Sequence, residues 1–507
     1  MNARNPLAIS PLLSQVRSND HPSTLELIDR LCECLRKEDL TYCHWKSNNA
    51  LDRSASGDND LDLLVRRTDV QRFTEILYGL GFKLALAPPA MHLPGVLDYY
   101  GHDESTGRLV HVHAHYQLIL GHDRTKNYRL PIEEPFLASV TQNDLFKIPS
   151  PEFEFIVFVI RMIIKYSTWD AIIARQGTLP DGERREFEYL HPRTDRTQLH
   201  DQLRKHLPSI DSALFDACVQ SLQPNCSAWT RMHVGRRLQK ELRPFARRSQ
   251  AIDSYLKIER RIVRGIRRRL RRLPKKRFAH AGVTIALVGG DGAGKSTAIQ
   301  ELYDWVSKDF EAIRVHLGKP PWSWTTYSVR GALKIARLLR SSLARNSTHR
   351  GDIDQKSPVV PRYSRVLWSV CAARDRYRLY VKTRRFATNG GLVICDRYPL
   401  EQIKLMDGPQ VEQIIKADEM NSVVKLLARL EKKYYRPITP PEILIVLKVD
   451  PEIAVRRKTD ENANSVRVRS TEIWELDWQQ TEIMVVDASQ SKEQVLSELK
   501  SYIWSIL

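Results

Sequence analysis

VTIALVGGDGAGKST, residues Val283 to Thr297, decides the fold of the C-terminal half of this 507-residue chain. Val283 to Val288 is a short apolar run. Such runs form central parallel strands covered on both faces. This one passes without a break into G-x-x-x-x-G-K-S, carried by Gly289, Gly294, Lys295 and Ser296. In such a loop glycines let the backbone turn tightly, so that successive N–H groups converge on phosphate oxygens. The lysine reaches the β- and γ-phosphates, and the serine hydroxyl ligates Mg²⁺. From Thr297 to Lys308 the pattern is an amphipathic helix, whose positive N-terminal end faces the same anion. A cradle for ATP and Mg²⁺ is therefore expected at Gly289, Gly290, Asp291, Gly292, Ala293, Gly294, Lys295, Ser296 and Thr297.

Outward from the loop, residues 282–507 alternate strand and helix, the pattern of an α/β fold with a parallel sheet flanked by helices. Three later stretches punctuate it. Gly391 to Tyr398 reads GLVICDRY, an apolar strand ending in Asp396-Arg397-Tyr398. Thr439 to Arg457 reads TPPEILIVLKVDPEIAVRR, and Met484 to Leu496 reads MVVDASQSKEQVL. With the loop, these motifs in this order resemble the thymidylate kinase family of P-loop NTPases. The resemblance implies catalytic roles for Lys295, Asp396, Arg397 and Arg457, and Mg²⁺ near Ser296 and Asp396. It implies acceptor binding by Asp291, by Arg397, and by Arg374 in CAARDRY. Arg456, Arg457, Arg467 and Arg469 surround the expected lid, where arginines neutralise charge moving between phosphates. The acceptor side departs from the family pattern. Val370 stands where an aromatic residue stacks on thymine, although Trp368 is close, and Ala373 stands where the family has Asp. Gly318-Lys319-Pro320 replaces R-E-P, and a different sequence follows Tyr398.

Residues 22–122 mix helix and strand. Asp60-Leu61-Asp62 opens an apolar strand, with His44-Trp45-Lys46-Ser47-Asn48 upstream. Carboxylates on alternate strand residues share a face, where they can hold Mg²⁺. Leu109 to Leu118, LVHVHAHYQL, is a second strand whose alternating His111, His113 and His115 also share a face, as a metal site or simply a polar face. These stretches resemble the nucleotidyltransferase superfamily, which implies an α+β domain with metal at Asp60 and Asp62. His113 stands where that superfamily has a third carboxylate, and Lys46 where it has Gly.

Residues 123–254 are expected to be mainly helical. Phe153 to Ile164, FEFIVFVIRMII, is a buried helix, too short and too charged at Arg161 to cross a membrane. Gly177, Pro180 and Pro192 mark loops. Residues 255–277, YLKIERRIVRGIRRRLRRLPKKR, form a basic linker. Ile258, Ile262, Ile266, Leu270 and Leu273 recur on one helical face. The segment supplies more than half of the net charge of +19. Either its stripe packs on a domain and its arginines are solvated, or it lies on a membrane surface or a nucleic acid.

The basic balance suits anionic partners such as nucleotides. Seven scattered cysteines make no C-x-x-C pair, which suits a reducing cytoplasm, with the linker placing the protein at the periphery of a membrane. A homodimer is expected from the kinase resemblance. The leading expectation is a kinase that moves the γ-phosphoryl group of ATP to a nucleoside monophosphate, dTMP first. A kinase for a sugar or lipid intermediate, and an ATP-sensing regulator with a nucleotidyltransferase-like domain, are the alternatives.

Overall fold

The computed structural model of the chain describes residues 24–89, 91–93, 95–123, 125–167, 179–270, 274–345, 360–400, 403, 408–414, 421–459, 461–478 and 483–507. The expected loop at Gly177 and the last stripe residue, Leu273, lie outside the described residues.

The N-terminal unit is built on a six-stranded mixed sheet. Its first five strands are β1 (Tyr42–His44), β2 (Leu61–Val65), β3 (Lys83–Leu86), β4 (Val96–Asp103) and β5 (Arg108–His115). Two small hairpins follow, β6 (Leu118–Leu120) with β7 (Tyr128–Leu130), and β8 (Thr141–Asn143) with β9 (Phe146–Ile148). The sheet order is β1-β2-β5-β4-β3-β10, where β10 is Arg277–Phe278. β2 runs parallel to β5 and β4 antiparallel to it. The helices Glu26–Lys37 and Val70–Gly79 supply Leu27, Ile28, Leu31, Phe73 and Leu77 to the core beneath it.

The middle of the chain is helical: Pro151–Tyr166, Asp181–Leu190, Arg196–His206, Ser212–Ser221 and Ala228–Glu241. Ser150 caps the first of these by accepting from Phe153 N, and Pro151 sits in its first turn, where its missing N–H costs nothing. From Phe153 to Ile160 every residue is buried, as the apolar run predicts. Arg161 stays within it by donating to both carboxylate oxygens of Glu186, at 2.8 and 2.7 Å.

The C-terminal sheet is wholly parallel, in the order β12-β13-β11-β14-β15. Its strands are β11 (Thr284–Gly289), β12 (Ala312–His316), β13 (Leu392–Asp396), β14 (Ile443–Lys448) and β15 (Met484–Asp487). Apolar side chains of β11, β13 and β14 are buried on both faces, as Ile285, Leu287 and Ile394 on one and Ala286, Val288 and Val393 on the other. The strands all run the same way, so their carboxyl ends form one edge carrying Gly289, Asp396 and Lys448. Ligands of open α/β sheets bind at this edge.

The two α/β units are joined by the basic segment 255–277 and also touch directly. The basic helix spans Gln250–Arg269, and the last residue of the segment pairs through β10 with β3. Tyr100 from β4 packs against Phe310, ring centroids 4.7 Å apart, and Phe310 stacks on Phe278 at 4.3 Å. Trp504, in the C-terminal helix Lys492–Ile506, donates its indole N–H to Gly81 O at 3.0 Å. Tyr100, Phe278, Phe310 and Trp504 belong to one continuous core, so the two α/β units share apolar burial. No helix among the described residues is long and apolar enough to cross a membrane.

Candidate functional site

Between β11 and the helix Lys295–Ser307 the chain turns through Gly290 to Gly294. Gly292 and Gly294 have φ of +77° and +79°, a region closed to most side chains. At Gly292 a Cβ would also lie 2.7 Å from Ala454 O. The cradle is therefore made by backbone that only glycine fits. Lys295 folds over it, donating to Gly289 O at 2.9 Å and Gly290 O at 2.7 Å. Burial pushes the Lys295 ammonium down to about 8; Arg397 and Lys458 add to that shift, and Asp291 and Asp396 oppose it. The ammonium thus sits over the loop, between the carboxylates of Asp291 and Asp396 and the cations of Arg397 and Lys458.

Asp396 ends β13 beside β11, paired in register with Leu287. Its neighbour Arg397 has φ of +61°, a backbone strain of the kind found at functional sites. Ser296 stands at the open start of the helix. A hydroxyl and a carboxylate at this mouth are hard oxygen donors of the kind Mg²⁺ takes, so the residues present fit that ion.

Two of the arginines expected at a lid are engaged within the protein. In the helix Ala463–Glu475, Arg469 places Nε 2.8 Å from Asp291 Oδ2 and also pairs with Glu461. Ser470 Oγ donates to Asp291 O at 3.3 Å. The helix Ala463–Glu475 is therefore tied directly to the loop. Arg467 forks onto Glu452, with Nε at 2.7 Å and Nη2 at 3.1 Å. Arg457, expected among the catalytic groups, donates to Ala488 O at 2.8 Å and so holds the loop after β15.

Arg374, expected to bind the acceptor, donates to Thr325 Oγ1 at 2.7 Å. Two residues on, Arg376 is buried and donates to Leu317 O at 2.7 Å, to Gly318 O at 3.1 Å and to Tyr435 OH. It anchors the Gly318-Lys319-Pro320 turn, a role the motif reading missed. Trp368, close to Val370 in sequence, meets Trp322 edge to face at 5.1 Å.

The N-terminal sheet gathers a second cluster. In register, Asp62 of β2 faces His113 of β5, which faces Asp98 of β4. Asp98 brings to this face the carboxylate that β5 lacks. The reading of the histidine strand missed it because it lies on another strand. Asp62 lies 3.1 Å from His113 Nδ1, 3.4 Å from His115 Nε2 and 2.7 Å from Lys46 Nζ. Burial alone would raise the Asp62 carboxyl, but Lys46, with His113 and His115, holds it well below the usual range. Burial alone would likewise raise the Asp98 carboxyl, but His111 and Lys276 hold it well below the usual range. Asp60 pairs with His111 Nδ1 at 2.8 Å. The group of metal-ligating geometry is thus Asp62, His113 and His115; His111 is held between Asp60 and Asp98. Beside the cluster lies a cavity of about 550 Å³ lined by Lys46, Asp62, Lys126, Arg161 and Lys165 among others. Burial, with Lys46, Arg161 and Lys165 nearby, pushes Lys126 down to about 8.

No known family model matches the chain. It is 28% identical over 228 residues to the uncharacterized ATP-binding protein YghR of Escherichia coli strain K12, covering 42% of this chain and 84% of that protein. It is 25% identical over 233 residues to the thymidylate kinase of Legionella pneumophila strain Paris, covering 44% of this chain and 94% of that enzyme. Among solved structures, a thymidylate kinase from Candida albicans matches at 19% identity and a TM-score of 0.26, covering 44% of this chain and 91% of that one.

Proposed function

We propose that the C-terminal unit is an ATP- and Mg²⁺-dependent kinase whose acceptor is a nucleoside monophosphate, with dTMP the first candidate. The observation that carries this reading is the Lys295 ammonium folded onto a glycine-built loop, with Asp396 and Arg397 on the adjacent strand end. Sequence similarity to proteins described as ATP-binding and as thymidylate kinase supports it.

In this reading the loop N–H groups and Lys295 hold the β- and γ-phosphates. An acceptor phosphate oxygen attacks the γ-phosphorus, the bond to the β–γ bridging oxygen breaks, and ADP leaves with that electron pair. Such a transition state spreads charge over oxygens, so catalysis is positioning and charge neutralisation. Mg²⁺ between Ser296 and Asp396 would supply a further neutralising charge. Arg397 would hold the acceptor phosphate, with Arg374 and the Trp322–Trp368 pair beside the nucleoside. Arg469 would follow Asp291 as the lid settles.

The test is ADP formation by the full chain against a panel of nucleoside monophosphates, with Lys295→Ala as control. Stimulation by dTMP alone supports the proposed acceptor. Turnover stimulated instead by a phosphorylated sugar or lipid would keep the kinase and replace the acceptor. Undiminished turnover in Lys295→Ala would sink the assigned site.

A second activity is favoured by one observation, the Asp60, Asp62 and Asp98 carboxylates near a cavity whose lining includes Lys46, Lys126 and Lys165. Carboxylates that orient a metal-bound nucleotide, next to lysines that take its phosphates, suit nucleotidyl transfer. Release of pyrophosphate from a nucleoside triphosphate, lost in Asp62→Asn and kept in Lys295→Ala, would assign it to this unit.

A further inference from the structure

The helix Gln250–Arg269 is oriented opposite to a core-seeking helix. Its buried residue is Asp253. Ile252, Tyr255, Ile258, Ile262 and Ile266, with Leu270 just past its end, each expose more than half of their surface. At 100° per residue these six fall within an arc of about 120°, a stripe of core-facing width. Arg267 and Arg268 lie exposed outside that arc, and Arg269 is exposed within it. The expectation that the stripe packs on a domain is thus not met: Lys257 and Asp253, an ion pair at 2.8 Å with both side chains largely covered, face the protein instead.

A second face of the same kind occurs on the helix Trp324–Arg345, where Trp324 is 89% exposed and Tyr327 and Ile335 are exposed on the same side. Arg330 and Lys334 are exposed on that helix too.

We infer that the helix Gln250–Arg269 lies in the plane of an anionic lipid surface, its isoleucine stripe in the acyl boundary and its arginines at the headgroups. Charge and shape choose this occupant. A nucleic acid would take the arginines and leave the stripe in water. A second copy of the chain would cover the stripe and bring two arginine rims together, in a protein already carrying a net charge of +19. An anionic bilayer satisfies both faces at once, the arrangement of interfacial amphipathic helices. Glu259 and Arg269 both fall inside the arc and offset each other in charge, so net attraction depends on the arginines beside it.

The experiment is co-sedimentation of the full chain with vesicles of phosphatidylcholine alone or with about one third phosphatidylglycerol. Binding is expected to the anionic vesicles and to weaken with salt. Ile258→Asp with Ile262→Asp should reduce it by about tenfold or more, since exposed residues can change without unfolding the helix. Arg267→Gln with Arg268→Gln and Arg269→Gln should remove the preference for phosphatidylglycerol. Undiminished sedimentation of the Ile variant, or no preference for anionic vesicles at low salt, overturns the inference. So does duplex DNA binding that survives the Ile variant and displaces the vesicles. A concentration-dependent dimer abolished by the same Ile substitutions would assign the face to a second copy.

Discussion

Lys276 Nζ lies 3.1 Å from Asp98 Oδ1, while the backbone of Lys276 is woven into the other sheet's edge. Its N–H donates to Asp309 O and its carbonyl accepts from Glu311 N, just before β12. The same ammonium donates to Tyr100 OH at 2.8 Å. One residue therefore touches the N-terminal carboxylate cluster with its side chain and the P-loop unit with its main chain. Lys276→Met should leave Asp98 buried with one cation fewer, costing about 1–3 kcal/mol, and Lys276→Arg should recover part of it. Urea unfolding of the full chain measures both; equal stability of Lys276→Met and the native chain would refute the role.

Trp504 tests the shared core. It is buried among Phe278, Phe310 and Trp305. Trp504→Ala should cost about 3–5 kcal/mol. Probes in both units should shift together in one transition. Loss confined to the C-terminal unit would show that the units fold independently.

Lys295 sets a pH dependence. Its folded pKa is about 8, below the ordinary 10.5. A lysine depressed on folding destabilises the native state while both states are charged, and that cost falls as pH rises from about 8 towards 10. Nucleotide binding should run the other way. Bound phosphates favour the ammonium, so ATP affinity should fall as pH climbs through this window, with proton uptake on binding near pH 9. Calorimetry in buffers of different ionisation enthalpy reads the uptake; none in native protein, or equal uptake in Lys295→Ala, would count against Lys295.

The Arg469–Asp291 pair predicts how the lid behaves. Arg469→Ala should release the helix Ala463–Glu475 from the loop and lower turnover, by about tenfold to a thousandfold if the arginine reaches the transferring phosphate. Proteolysis within 461–475 should quicken in the absence of nucleotide. Unchanged protection would mean that Ser470 and the lid's apolar contacts hold it without the arginine.

Gly292→Ala isolates the loop backbone. The substitution meets Ala454 O and an unfavourable φ together, so ATP binding should weaken at least as much as in Lys295→Ala. Binding at native affinity would show that the turn can relax.

Much of this was legible along the chain. The strand, loop and helix from Val283 to Ser307 are contiguous, so spacing alone placed Lys295 and Ser296 at one mouth. Alternation put His111, His113 and His115 on one face of β5, and the apolar run from Phe153 was a buried helix. Periodicity also located the isoleucine stripe of the basic helix. It was silent on which way the stripe faces, because a helical pattern states what could be buried and not what covers it.

What only the tertiary structure decided involves pairs distant in sequence. Asp98 reaches His113 because β4 and β5 pair antiparallel, Lys276 reaches Asp98 because β10 joins β3, and Arg469 reaches Asp291 across the lid. Local spacing determines what one turn or one strand can present. Which strands become neighbours is determined by the burial of whole sheet faces, and that is a property of the folded chain.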